Sequence, residues 1–113
     1  MLRITYTNAK VERYFSDFSQ MQKKVPLDWI RSIKKHLNHL AAADCFGDFL
    51  KLGLGQPEQL TGYNPIRYSL RVSANARLII EPNATQDTIL ICEEIQIKGV
   101  SDYHGSKENW YIP

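Results

Sequence analysis

Residues 2–6, Leu-Arg-Ile-Thr-Tyr, alternate apolar and polar positions and predict a short first strand. Asn8 stands where a helix N-cap belongs. Val11, Tyr14, Phe15, Phe18 and Met21 then follow at spacings of three and four, which is one apolar helical stripe. Pro26 suits the first position of a second helix, and Asp28 in that helix's first turn suits its dipole. The buried stripe there reads Ile30, Ile33, Leu37, Leu40 and Ala41, with Arg31, Lys34, Lys35 and Asn38 off it. The two helices are expected to pair and cover one face of a sheet.

Residues 44–57 are less periodic. Phe46, Phe49, Leu50 and Leu52 anchor either a short third helix or an ordered loop, and Gly53, Gly55 and Pro57 then interrupt regular structure. The Gly-Leu-Gly of this stretch is no phosphate loop, because Pro57 follows it and no Lys-Ser/Thr pair does. Residues 66–72, 76–82 and 88–97 alternate in the manner of strands, with a turn over 82–87 and Gly99 as a breaker of the last. A strand, two helices and a run of strands predict an α+β domain with an antiparallel meander.

Parity fixes the register of the first hairpin. With Ser73, Ala74 and Asn75 as its loop, and Asn75 in the left-handed conformation, Arg71 falls opposite Arg77 and Arg67 opposite Glu81. Leu70 then meets Leu78 and Tyr68 meets Ile80 on the other face. A slip of one residue would set Val72 against Arg77 and mix the faces, so this register is preferred. Two arginines directly opposed repel and destabilise the sheet by a few tenths to about 1 kcal/mol. Either an acidic neighbour, with Glu94 the nearest in sequence, or a bound phosphate offsets that cost. Guanidinium groups bind phosphate in bidentate fashion and stay charged.

Composition narrows the class. The chain has 113 residues, room for one domain over 1–113, and its 43% hydrophobic content is enough for a core. The net charge of +2 does not by itself announce nucleic-acid binding. Cys45 and Cys92 form no CxxC pair, no apolar run approaches the ~20 residues of a membrane span, and residues 1–5 begin no apolar leader segment. These features predict a cytoplasmic protein with free thiols, no membrane association and one structural unit.

Leu60-Thr61-Gly62, then residues 68–82 with Arg71-Val72-Ser73-Ala74-Asn75-Ala76-Arg77 at their centre, then Asp102-Tyr103-His104, resemble the HigB branch of the RelE/ParE toxins. That branch reads roughly LKG, a strand ending RVNxNxR, and a closing DYH. The resemblance covers about the last half of the chain. It implies a RelE-like fold, two N-terminal helices packed on a twisted antiparallel sheet of about four strands. It implies a type II toxin that cleaves mRNA on the ribosome without metal or cofactor and is silenced by a cognate antitoxin, a HigA-like helix-turn-helix protein. Arg71 and Arg77 carry over as phosphate-binding residues, and Asp102, Tyr103 and His104 as the catalytic tail. Thr61 replaces the family's lysine, and Glu58 stands where some members carry histidine, with Arg67 or Lys51 as candidate substitutes.

Cleavage through the RNA's own 2′-hydroxyl needs a base, an acid for the 5′-oxygen, and cations around the phosphorane-like state. Histidine's unperturbed pKa of about 6.5 suits proton transfer, which puts His104 forward. Tyr103 can stack on a base or orient the hydroxyl, and Asp102 can hold His104. Lys34 and Lys35, with Lys23, Lys24 and Arg31, form a basic helical face that is either solvated or set against RNA. His36 and His39 stand at i, i+3 and read as flank and surface residues, with no third metal ligand in view. Trp110-Tyr111-Ile112 reads as a cap on the chain's own core. Two other classes share the fold. One is a ParE-like gyrase-inhibiting toxin, which needs no acid–base tail. The other is a binding module that has lost catalysis.

Overall fold

A computed structural model describes residues 1–102 and 110–112. The first strand, β1, covers Arg3–Tyr6. Asn8 then caps α1, Ala9–Ser16, its side-chain oxygen accepting from the Val11 N–H at 2.9 Å. The stripe predicted as one helix is broken at Asp17, which ends α1 and caps α2, Phe18–Met21, by accepting from the Ser19 N–H at 3.1 Å. A short side chain that binds its own neighbouring backbone favours such a boundary over helix interior. Val11, Phe15 and Met21 are buried all the same, because the two pieces keep the stripe on one side.

Pro26 is the N-cap residue of α3, Leu27–Ala42, rather than its first turn. Its extended ψ of 157° lets its carbonyl accept from Trp29 and Ile30. Ile30, Ile33 and Leu40 are buried as expected, while Leu37 and Ala41 are only partly so. The fourth buried position of α3 is His36, 6% exposed, which corrects its reading as a surface residue. Residues 46–52 form α4, Phe46–Leu52, whose Phe46 meets the Tyr68 ring edge-on at 5.0 Å.

The remaining strands are β2, Glu58–Leu60; β3, Arg67–Ser73; β4, Ala76–Pro82; β5, Glu94–Asp102; and β6, Trp110–Ile112. Among the described residues the sheet is six-stranded, in the order β1-β5-β4-β3-β2, with β6 also on β5. It is mixed rather than antiparallel, since β1 runs parallel to β5, with Ile4 against Ile95 and Tyr6 against Ile97. The antiparallel meander holds for β2 to β5 and for β6. β1 and β6 share one edge of β5, pairing with residues 94–97 and 100–101.

Two further expectations fail locally. Residues 89–91 are a 3-10 turn, not strand; only Ile89 is buried there, and Leu90 and Ile91 lie exposed. Gly99 does not end the last strand. β5 runs through it at φ +144°, beside a register shift that sets Ile80 against Ile97 and Ile79 against Gly99. A side chain at 99 would collide with the Ile112 carbonyl and press on the Trp110 ring, so glycine lets β6 dock.

The helices cover one face of the sheet. Val11, Phe15, Ile30, Ile33, Leu40, Phe46 and Phe49 pack with Leu70, Leu78, Ile80, Ile95 and Ile97 into one core. Burying an aliphatic or aromatic side chain of this size stabilises by about 1.5–3 kcal/mol. Tyr111 packs edge-on against Trp29 of α3 at 5.0 Å, and Ile112 is fully buried. The last strand therefore caps the chain's own core. The molecule is an α+β fold with four helices and this open mixed sheet among its described residues.

Candidate functional site

The face of the sheet turned away from the helices is built by alternation. Leu70, Leu78 and Ile80 point into the core, so their neighbours Arg71, Arg77, Ile79 and Glu81 point the other way. Register then sorts this face into rows. Arg71 stands opposite Arg77, Arg77 opposite Ser101, and Ser101 opposite Trp110. The next row is Glu58, Ser69, Ile79 and Gly99. Beyond it lie Arg67, Glu81, Gln96 and Thr5, with the Arg67 Nε 3.6 Å from a Glu81 oxygen.

The Arg71–Arg77 pairing derived from the sequence is therefore present. The turn that makes it differs in detail. Ser73 pairs with Ala76, so only Ala74 and Asn75 lie between, and a bulge at Val72 restores the parity. Asn75 does not adopt positive φ; its N–H is accepted by the Ser73 hydroxyl at 3.2 Å.

The backbone of Arg71 explains why the two arginines stand close. β2 ends its pairing at Ser69, leaving the edge of β3 open at Arg71. The Arg71 N–H donates to the Gly55 carbonyl at 2.7 Å, and the Arg71 carbonyl accepts from His36 Nε2 at 2.6 Å. Both backbone groups of Arg71 thus point away from β4. Its pairing with Arg77 is then of the non-hydrogen-bonded kind, in which Cα atoms approach to about 4.5 Å and side chains crowd.

Glu94, the expected acidic neighbour, is not beside the arginine pair. It lies at the other end of β5, bound to Arg3 at 2.8 Å and to the Asn83 amide at 3.0 Å. Glu81 is held by Arg67 and by Lys98, whose Nζ is 3.7 Å away. Arg71 is exposed and makes no ion pair among the described residues. Arg77 is 9% exposed, and beside it Ser101 is buried. Ser69, buried in the adjoining row, has a hydroxyl without a hydrogen-bond partner among the described residues.

The other sequence-predicted residues scatter. Asp102 falls opposite Ala76, which is the parity of Leu78 and Val100 and not that of the arginines. Tyr103 and His104 lie outside the described residues. Lys34 and Lys35 are exposed on α3, which packs on the opposite face of the sheet, and Lys34 lies 4.6 Å over the Phe18 ring. Lys51 is exposed on α4, also on the helical side. Glu58 does reach the arginine face, one row from Arg71, whereas Thr61 is exposed beyond the end of β2. Sequence reasoning passed over Ser69, Ser101 and Lys98, and read His36 as a surface residue. Ser69 follows from alternation within β3 and Ser101 from extending that parity to β5, whereas Lys98 stands at the register shift where alternation gives no placement; His36 follows from its spacing of three after Ile33 and four before Leu40.

No protein-family model, curated protein or solved structure matches the chain. Among the described residues no group of three His, Cys, Asp or Glu stands together as metal ligands, and no helix is long and apolar enough to cross a membrane.

Proposed function

We propose that the protein is the toxin of a type II toxin–antitoxin system, a cytoplasmic, metal-independent endoribonuclease that cleaves mRNA on the ribosome. A helix-turn-helix antitoxin of the HigA kind silences it. The observation that carries this reading is Arg71 facing Arg77 across a non-hydrogen-bonded register position, with Ser101 beside them. Two guanidinium groups on opposed positions can bind one phosphate between them.

In this mechanism Arg71 and Arg77 grip the scissile phosphate and hold the charge that develops on its non-bridging oxygens. The 2′-hydroxyl attacks phosphorus, the P–O5′ bond breaks, and the fragments end in a 2′,3′-cyclic phosphate and a 5′-hydroxyl. The 2′-proton leaves to a base, and the 5′-oxygen takes a proton from an acid. His104 is the residue proposed for proton transfer, with Tyr103 stacking on a base of the substrate. Asp102 is the weakest member of the proposed tail, because its register sets it off the arginine face. Lys34 and Lys35 can meet RNA only outside the site, since α3 lies behind the sheet.

Mapping of transcript ends after brief induction tests the reading. New ends inside reading frames, accompanied by arrest of protein synthesis, are expected. Intact transcripts together with a DNA-damage response would assign the chain to gyrase inhibition instead.

A further inference from the structure

An open cleft of about 930 Å³ lies at the end of the sheet far from the β3–β4 hairpin. Thr5, Glu81, Glu94 and Gln96 line it from the arginine-bearing face, and Tyr63 and Gln86 from the connections that follow β2 and β4. Its size falls within the ~300–1,000 Å³ usual for small-ligand sites. It belongs to the same surface as the Arg71–Arg77 row. Arg77 and Glu81 stand four positions apart on β4, about 13 Å at the rise of a strand, a span that a few nucleotides of single strand cover.

The chemistry of the lining is that of a neutral ligand. Arg67 and Lys98 hold the Glu81 carboxylate, and Arg3 holds that of Glu94, so each acid of the lining is paired with a cation. Amides and hydroxyls make up the rest of its polar lining. Gln96 accepts from Lys98 through its oxygen at 3.1 Å, and Asn83 donates to Glu94 through its nitrogen at 3.0 Å. The Gln96 NH2 and the Asn83 oxygen are left as a donor and an acceptor. A donor and an acceptor in one lining are the groups that the edge of a nucleobase calls for. The Tyr63 ring of the lining is a flat group that suits base stacking, and the Arg67 guanidinium lies 4.6 Å over it.

We infer that this cleft takes one nucleobase of the RNA strand whose phosphate lies on Arg71 and Arg77, and that it sets the protein's sequence preference. The inference rests on reading the arginine row as a phosphate site. It makes Gln96 and Asn83 determinants of specificity, with Glu81, Arg67 and Lys98 holding the lining in place.

Two measurements on the full chain test it. Side-chain amide signals of Gln96, Asn83, Gln59 and Gln86 are followed by NMR during titration with AMP, GMP, CMP and UMP, with ribose 5-phosphate as the baseless control. Fluorescence anisotropy then gives the affinities of short RNAs of different sequence for the native protein and for Gln96→Leu and Arg71→Ala. Amide shifts are expected with at least one nucleotide and not with ribose 5-phosphate. Gln96→Leu should shrink the spread of affinities between sequences by about fivefold or more, leaving their salt dependence unchanged. Amides that ignore every nucleotide, that respond equally to ribose 5-phosphate, or a spread that is absent or untouched by Gln96→Leu overturn the inference. Arg71→Ala reports separately on the phosphate site, because it should weaken all the RNAs alike. If it weakens none while the amides respond, the cleft stands as a base site and the reading of the arginine row falls.

Discussion

His36 Nε2 donates to the backbone carbonyl of Arg71 at 2.6 Å, joining the buried face of α3 to the open edge of β3. Gly55 completes the clasp by accepting from the Arg71 N–H at 2.7 Å, and a Cβ at Gly55 would strike the imidazole. A helix on one side of the sheet thus fixes the backbone of a residue whose guanidinium serves the other side. The remaining ring nitrogen, Nδ1, is buried without a partner among the described residues. Burial lowers the His36 pKa, the bond to Arg71 partly opposes this, and His39 lowers it further.

Stability should therefore fall in acid through His36. Its folded pKa lies below the ordinary value of about 6.5, so the unfolded chain binds the proton more readily. The contribution is complete above the unfolded value and is lost as pH falls through the folded one. Urea unfolding of the native protein and of His36→Gln from pH 8 to pH 5 checks this. The difference in stability between them should shift against the native protein on acidification, because glutamine keeps a donor for Arg71 without a titrating group. A difference independent of pH contradicts the assignment.

Gly99→Ala should destabilise by about 1–3 kcal/mol through backbone strain and overpacking. The residue sits at φ +144°, and the added methyl meets the Ile112 carbonyl and the Trp110 ring. Chemical denaturation measures the loss. Tryptophan fluorescence should report a changed environment for Trp110. Unaltered stability would mean that β6 does not depend on this close approach.

Arg71→Ala separates stability from function. The side chain is exposed and opposes Arg77, so its removal should leave the unfolding free energy within about 0.5 kcal/mol, or raise it slightly by relieving repulsion. RNA affinity should fall, and the slope of log K against log salt should drop by about 0.7 for each phosphate that is no longer neutralised. Anisotropy across a salt series together with a thermal melt checks both. Arg77 is nearly buried, which makes Arg77→Lys the milder companion to Arg77→Ala.

The carboxyl-terminal tail divides in the same way. His104→Ala should slow single-turnover cleavage by about 10²–10⁴-fold while hardly changing affinity. Asp102→Asn should cost less than about tenfold, because Asp102 pairs with Ala76 on the parity of the core residues. A crippled Asp102→Asn beside a near-normal His104→Ala would reverse the roles.

The arginine pair was legible in the sequence because strand alternation has a period of two, and only one register kept Leu70 and Leu78 on one face with Arg71 and Arg77 on the other. The bulge at Val72 leaves that parity intact, so the pairing holds despite a different turn. The parallel placement of β1 was not legible: its partner β5 begins some 90 residues later, and alternation says nothing about direction. Ile89-Leu90-Ile91 read as strand because a short apolar run carries no period of its own. Gly99 read as a breaker because the sequence does not display the chain that closes over it. His36 read as a surface residue because its type favours the surface, although its spacing from Ile33 and Leu40 sets it on the buried stripe; its partner, the Arg71 carbonyl, is supplied by tertiary packing and leaves no mark in the sequence.

The ends of the RNA fragments made from a ribosome-bound message by the purified protein test the central claim most directly. Attack by the 2′-hydroxyl under the grip of Arg71 and Arg77 should leave a 2′,3′-cyclic phosphate on one fragment and a 5′-hydroxyl on the other. The yield should collapse in Arg71→Ala, a variant that stays folded. Fragments carrying 5′-phosphate, undiminished cleavage by folded Arg71→Ala, or no cleavage by the native protein would contradict it.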